Sequence, residues 1–311
     1  MTQPKMKAVV TGGAGFIGSH LTEALIAQGY QVTVIDDLSS GKLDNLAQCR
    51  NKIEFVKGSI TDFSLLKKAF QGVDYVFHLA AIASVPQSID DPRTTHEVSI
   101  GGTLNVLMAA SENKVKKVIY ASSAAVYGNA PGLPKNEEML PYPLSPYAAG
   151  KLAAEYYCSV FSQVYKLPTV SLRYFNVYGP RQNPNSQYAA AIPKLINMVL
   201  EGHPPVIFGD GEQTRDFTFV GDVVRANLLA AESEVSGVFN VSRGESITIN
   251  QLAEIVIRLA GKMLKPVYQE ARKGDIKHSL ADITKARAFG YRPEYDLEYG
   301  LGRTLEWLKG R

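Results

Sequence analysis

The fold is decided between Lys7 and Asp36. That stretch reads Lys7-Ala8-Val9-Val10-Thr11, then Gly12-Gly13-Ala14-Gly15-Phe16-Ile17-Gly18, then an apolar-patterned segment to Gln28-Gly29, then Gln31-Val32-Thr33-Val34-Ile35-Asp36. Lys7 to Thr11 has the composition of a short buried strand and runs straight into the glycines. A helix is predicted from Phe16 to about Gln28, with Leu21, Leu25 and Ile26 on its apolar face. Gly29 closes it, as a glycine after the last helical residue commonly does. The β-branched run Gln31–Ile35 is a second strand, and an acid follows it.

This strand, glycine loop, helix and strand carry specific physics. Gly12 permits a tight turn, Gly15 removes a side chain so that backbone can approach a pyrophosphate, and Gly18 lets helix and strand pack closely. The helix N-terminus offers free N–H groups and positive partial charge to phosphate. Asp36 is placed to accept the hydroxyls of an adenosine ribose and to repel a 2′-phosphate, so the expected cofactor is NAD rather than NADP.

The β–α rhythm continues. Strands are predicted at Ile53–Lys57, Asp74–Leu79, Val115–Ala121 and Thr169–Arg173, with helices at Asp62–Phe70 and His96–Asn113. Repeated units of this length build a parallel sheet covered on both faces, with ligands beyond the carboxyl ends of its strands. The expected fold class is α/β: a doubly wound parallel (Rossmann) sheet with a smaller α/β C-terminal substrate domain. Residues 1–175 form the expected dinucleotide-binding domain, joined by a returning segment near 218–245, and residues 176–311 the smaller domain. Small residues in Leu79-Ala80-Ala81 let a cofactor lie against a strand end. His78 sits in an apolar strand and reads as a satisfied core histidine.

Composition excludes several classes. The 311 residues carry 33 Lys and Arg against 30 Asp and Glu, a formal charge of +3. That is too small to imply nucleic acid or an anionic membrane as partner. Cys49 and Cys158 lie far apart and form no metal-ligand spacing, which fits reduced thiols in a cytoplasmic protein. The N-terminal apolar run is only Ala8-Val9-Val10, and no metal site is expected.

The chemistry is carried by Ser145-Pro146-Tyr147-Ala148-Ala149-Gly150-Lys151. On a helix, Tyr147 and Lys151 at i and i+4 are neighbours. A lysine there is expected to stabilise the phenolate and lower the tyrosine pKa from about 10. The pair then takes a proton from a sugar or alcohol hydroxyl and later returns it. Upstream, Ser122-Ser123-Ala124-Ala125-Val126-Tyr127-Gly128 ends the Val115–Ala121 strand and places a hydroxyl beside the expected phenol. Lys151 also reaches toward a nicotinamide ribose.

With these motifs in place, the chain resembles, over almost its whole length, an extended short-chain dehydrogenase/reductase of the nucleotide-sugar 4-epimerase family. Gly-x-x-Gly-x-x-Gly is that superfamily's glycine spacing. The resemblance puts the catalytic set on Ser123, Tyr147 and Lys151. It puts NAD against Gly12, Gly15, Phe16, Ile17, Gly18, Asp36, Ser59, Ile60, Leu79, Ala80 and Ala81, together with Tyr147 and Lys151. Related dehydratases and decarboxylases carry a carboxylate directly after the hydroxyl residue; Ala124-Ala125 stands here, leaving oxidation and return of a hydride. Two departures bear on the cofactor: Gly58-Ser59 replaces an Asp that bonds adenine, and Ser99-Ile100-Gly101 replaces an Asn near the pyrophosphate.

For the substrate, the resemblance implies a UDP-sugar held by Ser84, Ser123, Tyr147, Asn176 of the Arg173-Tyr174-Phe175-Asn176 motif, Arg215 of the Gly209–Phe217 turn, Arg272, Asp275 and Ser279. Arginine suits a diphosphate because it offers two parallel donors. Ser279 falls where some 4-epimerases carry a bulky tyrosine, and a small residue leaves room for a 2-acetamido group. Ser84–Pro92 and Pro131–Lys135 look most like epimerases that favour UDP-N-acetylhexosamines. The expected reaction is therefore interconversion of UDP-GlcNAc and UDP-GalNAc, with UDP-Glc and UDP-Gal also accepted. The alternatives are a UDP-glucuronate 4-epimerase and a non-catalytic NAD-sensing binding protein. The resemblance also implies a homodimer through the two long helices; the apolar Val98, Leu104, Leu107, Val160 and Phe161 are compatible with that interface and equally with core burial.

Overall fold

The computed structural model describes residues 5–183, 191–271 and 277–310. Its centre is a seven-stranded sheet: β1 (Lys7–Thr11), β2 (Gln31–Asp36), β3 (Ile53–Lys57), β4 (Tyr75–His78), β5 (Lys117–Ser123), β6 (Thr169–Tyr174) and β7 (Gly237–Val241). The spatial order is β7-β6-β5-β4-β1-β2-β3, and every pairing is parallel. The order reverses between β1 and β4, and a crevice opens there beyond the strand ends. The doubly wound sheet expected from the sequence is the one observed.

Alternation along the strands explains the two covering layers. Ala8 and Val10 of β1, Phe77 of β4 and Ile119 of β5 face one core. That core also takes Leu21 and Leu25 of α1 (Phe16–Ala27) and Val223, Ala226 and Ala230 of a helix at Val220–Glu232. Val9, Val76, Val118 and Tyr120 face the other. Its cover comes from α2 (Phe63–Ala69), a helix at Thr103–Glu112, and the long helix Pro146–Val164. Side chains of period two therefore serve opposite faces of one sheet.

Between β4 and β5 the chain is more broken than a single helix from His96 to Asn113. It forms α3 (Val85–Asp90), α4 (Pro92–His96), a π-helical stretch Glu97–Gly102 and α5 (Thr103–Glu112). Ser84 and Asp91 cap the two short helices, accepting from the backbone N–H groups of Gln87 and Thr94. A proline opens each. The π stretch brings Ser99 against the long helix Pro146–Val164: a Cβ built on Gly150 of that helix would lie 2.9 Å from Ser99 Cβ.

The long helix α6 (Pro146–Val164) is capped by Ser145, whose Oγ accepts from Ala148 N at 3.2 Å. Its inward residues are Ala148, Lys151, Ala154, Glu155, Cys158 and Phe161. Of the apolar positions compatible with either a dimer interface or the core, Leu107 and Phe161 are core residues, and Val98 and Leu104 pack against the same core. Val160 alone among them is exposed, in line with Tyr156 and Val164 on α6.

After β6 the chain builds a smaller α/β lobe. It contains α7 (Ala191–Leu200), α9 (Ile249–Leu259) and α10 (Leu297–Lys309), with α8 being Val220–Glu232, which returns to the large sheet ahead of β7. Ile192, Ile196, Val199, Leu252, Val256, Leu301 and Leu305 make this lobe's own core. Cys49 and Cys158 are buried and free. Among the described residues no helix is long and apolar enough to cross a membrane.

Candidate active site

The crevice at the switch point is a cavity of ≈ 640 Å³. Gly12, Gly15, Phe16, Ile17, Gly18, Asp36, Ser59, Ile60, Leu79, Ala80, Ala81, Ser84, Tyr147 and Lys151 all line it. Gly12 adopts a φ of +71°, which a side chain would strain, and a Cβ there would lie 2.7 Å from Ala80 N. At Gly18 a Cβ would stand 2.2 Å from the Gly12 carbonyl oxygen, so helix α1 could not seat. Asp36 at the end of β2 is buried and accepts from Ala14 N at 2.9 Å and Leu38 N at 2.8 Å. Burial raises its carboxyl pKa, and those two N–H groups oppose the rise. Ser59 Oγ accepts from Thr61 N at 3.2 Å. The glycine cradle, the carboxylate at the second strand end and the small residues of β4 are the donor set and shape that a dinucleotide requires.

His78 confirms its core reading. Its two ring nitrogens meet Thr11 Oγ1 at 2.8 Å and Thr103 Oγ1 at 2.9 Å, and burial pulls its pKa down to about 3. It is a neutral tie between β4, β1 and α5.

Tyr147 sits where this cavity meets a second one of ≈ 240 Å³. Ser123, Asn176, Arg215 and Ser279 line the second cavity, with Lys135 and His278. The strand-end serines separate in role. Ser123 Oγ accepts from Ala125 N at 3.1 Å, and its side chain and Tyr147 share the wall of the smaller cavity. Ser122 turns the other way and donates to Glu155. Asn176 has a φ of +36° and donates from Nδ2 to the Asp216 carbonyl at 2.9 Å. Arg215 Nη1 donates to the Thr214 carbonyl at 2.9 Å. Ser84 caps α3 and lies on the wall of the larger cavity, not the smaller. Arg272 and Asp275 lie outside the described residues.

One expectation is corrected. The spacing of Tyr147 and Lys151 predicts a lowered phenol pKa, but the Tyr147 pKa is raised. Burial is the largest cause, and only the Ser123 hydroxyl opposes it. Lys151 Nζ stands 5.9 Å from the centre of the Tyr147 ring and donates instead to the Ala121 carbonyl at 2.7 Å. The desolvated lysine is itself brought down to about 8, with Glu155 opposing that fall. Desolvation therefore outweighs proximity for both members of the pair.

Beneath the pair lies a buried network that the sequence reading missed. Glu155, one further turn along α6, receives Arg173 Nε at 2.9 Å and Nη2 at 2.7 Å. Ser122 and Arg173 are register partners on β5 and β6, which brings both to the same carboxylate. Arg173 also stacks over the Tyr127 ring at 4.7 Å, and Tyr127 donates to Asn240 Oδ1 at 2.7 Å. Burial works against the guanidinium charge, but Glu155 outweighs it and the Arg173 pKa rises above its ordinary value. Among the described residues no cluster of His, Cys, Asp or Glu could hold a metal ion.

A doubly wound sheet, a glycine cradle at its switch point and a Ser–Tyr–Lys set spanning the two cavities define a dinucleotide-dependent enzyme of the extended short-chain dehydrogenase/reductase type. Residues 8–242 match the family model described as NAD dependent epimerase/dehydratase family, and the chain belongs to that family. It is 39% identical over 313 residues to a UDP-glucose 4-epimerase of Mycolicibacterium smegmatis, covering 98% of this chain and 99% of the relative. Among solved structures it is similar to a UDP-N-acetylglucosamine 4-epimerase from Methanobrevibacter ruminantium M1 in complex with UDP-N-acetylmuramic acid, with TM-score 0.96, 46% identity and 99% of each chain covered. It is also similar to a UDP-glucuronic acid 4-epimerase from Bacillus cereus in complex with UDP-glucuronic acid and NAD, with TM-score 0.89, 36% identity, 98% of this chain and 99% of that one.

Proposed function

We propose that the protein is an NAD-dependent UDP-sugar 4-epimerase acting through a 4-keto intermediate, with UDP-GlcNAc and UDP-GalNAc as its preferred pair. UDP-Glc and UDP-Gal are slower substrates on this reading. The observation that carries it is the position of Tyr147 on the shared wall of the two cavities, with Ser123 beside it in the smaller and Lys151 in the larger.

The cofactor would rest on Gly12, Gly15 and Gly18, with Asp36 on its adenosine ribose and Leu79–Ala81 along its length. When bound, NAD supplies the acceptor and later the donor of the hydride at carbon four, and a positive ring that favours a nearby phenolate. Ser123 orients the sugar hydroxyl at carbon four. Tyr147 takes that hydroxyl's proton and returns it to the same oxygen once the sugar has presented its other face. Lys151 holds positive charge behind the phenol. Asn176 and Arg215, with Arg272 and Asp275, anchor the nucleotide while the sugar turns. Ala124 and Ala125 provide no carboxylate for elimination or decarboxylation, and both line the smaller cavity. The small Ser279 on that cavity's wall supports an N-acetylated sugar. A homodimer belongs to the same reading, with Tyr156, Val160 and Val164 as the exposed apolar stripe of α6.

The test is to incubate the protein with UDP-GlcNAc, UDP-Glc and UDP-glucuronate in parallel and resolve the isomers. The reading expects a mixture of UDP-GlcNAc and UDP-GalNAc, formed faster than the other pairs. Turnover of UDP-glucuronate alone would replace the substrate assignment. No isomerisation of any of the three would contradict the activity.

A further inference from the structure

Arg181 lies seven residues beyond the end of β6 and was not singled out by any motif. Its backbone takes a φ of +70°, uncommon for a residue with a side chain. Both of its neighbours are tied down. The Pro180 carbonyl is 2.9 Å from His20 Nε2 on α1, and Gln182 Nε2 donates to the Val177 carbonyl at 3.1 Å. The guanidinium is tied as well: Nη2 donates to Glu23 Oε1 on α1 at 2.6 Å. The other arm is not. Nη1 is buried and has no acceptor among the described residues, and Arg181 lines the dinucleotide cavity together with Gly15, Phe16, Ile17 and Gly18.

A buried charged donor without an acceptor is costly, and it persists where something absent from the chain completes it. The wall it shares is the one where Gly15 and Gly18 admit a pyrophosphate close to the backbone. A guanidinium matches phosphate oxygens in geometry as well as charge.

We propose that Arg181 is a cofactor ligand of this enzyme: Nη1 donates to the pyrophosphate of NAD, and Glu23 holds the guanidinium in the orientation that aims it. Arg181 belongs to the segment leading into the smaller lobe, whereas the glycine cradle belongs to α1. The contact would thus fasten the two across the bound dinucleotide. The inference concerns the cofactor alone and holds whichever UDP-sugar is turned over.

The experiment is calorimetric titration of nucleotide-stripped protein with NAD, with ADP-ribose, which keeps the pyrophosphate, and with AMP, which does not. Arg181→Met should weaken NAD and ADP-ribose by roughly 10- to 100-fold, the scale of a lost charge-assisted hydrogen bond, and AMP by less than about threefold. Arg181→Lys keeps the charge but loses the fork, and should fall between the two. It also supplies the measurement if the methionine variant does not fold. Glu23→Gln should give a smaller loss for NAD and ADP-ribose. Affinity for NAD within about twofold of the unsubstituted protein in a folded Arg181 variant overturns the proposal, because a purely structural arginine would move only the melting temperature. Equal weakening of AMP also overturns it, since that would place Arg181 on the adenosine half.

Discussion

Lys151 Nζ donates to the carbonyl of Ala121 at 2.7 Å, so the lysine of α6 is anchored to β5 one residue before the serine pair. The bond fixes the distance between the strand that carries Ser123 and the helix that carries Tyr147. It also buries an ammonium, whose pKa falls from its ordinary value of 10.5 to about 8 through desolvation. Function and stability pull in opposite directions at this residue.

Lys151→Met should therefore be inactive and more stable at neutral pH. The folded pKa lies below the unfolded one, so the folded state binds fewer protons between them. The penalty of holding the charge is full below about 8 and disappears as pH rises past 10.5. A shift of this size corresponds to about 3 kcal/mol before the lost hydrogen bond is subtracted. Thermal denaturation at pH 7 should show a rise of roughly 2–5 °C, shrinking toward zero near the unfolded lysine pKa. An equal or lower melting temperature at pH 7 would show that the Ala121 bond outweighs desolvation.

Glu155→Gln removes one half of a buried ion pair whose side chains are 3% and 4% exposed. Arg173 is left charged in the core, and the cost should be about 3–5 kcal/mol, read from urea unfolding. Glu155 also holds the Lys151 pKa up, so in whatever fraction remains folded, the lysine-dependent limb of the pH–rate profile should move to lower pH. A profile that does not move would separate the network from the lysine.

Gly18→Ala places a methyl 2.2 Å from the Gly12 carbonyl oxygen, and backbone cannot yield as a long side chain can. The loop must open, so NAD affinity should drop by roughly 100-fold or more, or the protein should fail to fold. Gly15→Ala meets Gly12 O at 3.1 Å and should be milder in the nucleotide-free protein. Fluorescence titration with NADH and a melting curve for each variant check the ordering.

Ser279→Tyr fills the smaller cavity, where Ser279 faces Tyr147, Asn176 and Arg215 along the lining. The expected outcome is selective loss of kcat/KM for UDP-GlcNAc, by roughly 10- to 100-fold, with UDP-Glc much less affected. Equal losses on both substrates would show that this position does not gate the acetamido group.

Much of the fold was legible because the sheet writes itself as apolar strands punctuated by glycine. Lys7–Asp36 alone specifies the switch-point unit. The short helix Val85–Asp90 was not read, since six residues carry no period; Ser84 with Pro86 as an N-cap signature was the available sign. The π stretch at Glu97–Gly102 has no local signature at all. Spacing placed Tyr147 beside Lys151, but spacing contains no desolvation, so the direction of the phenol pKa was misjudged. Glu155 was within reach, four residues after Lys151 on the same face. Its partner Arg173 depends on the β5–β6 register, which becomes visible only in three dimensions.

The most direct measurement of the central claim follows the hydrogen at carbon four. UDP-GlcNAc deuterated at that position, incubated in ordinary water, should give UDP-GalNAc that keeps the deuterium at carbon four, with turnover lowered by several orders of magnitude in Tyr147→Phe. Loss of the label to solvent, or near-normal turnover without the phenol, would contradict a hydride that leaves and returns under the control of Tyr147.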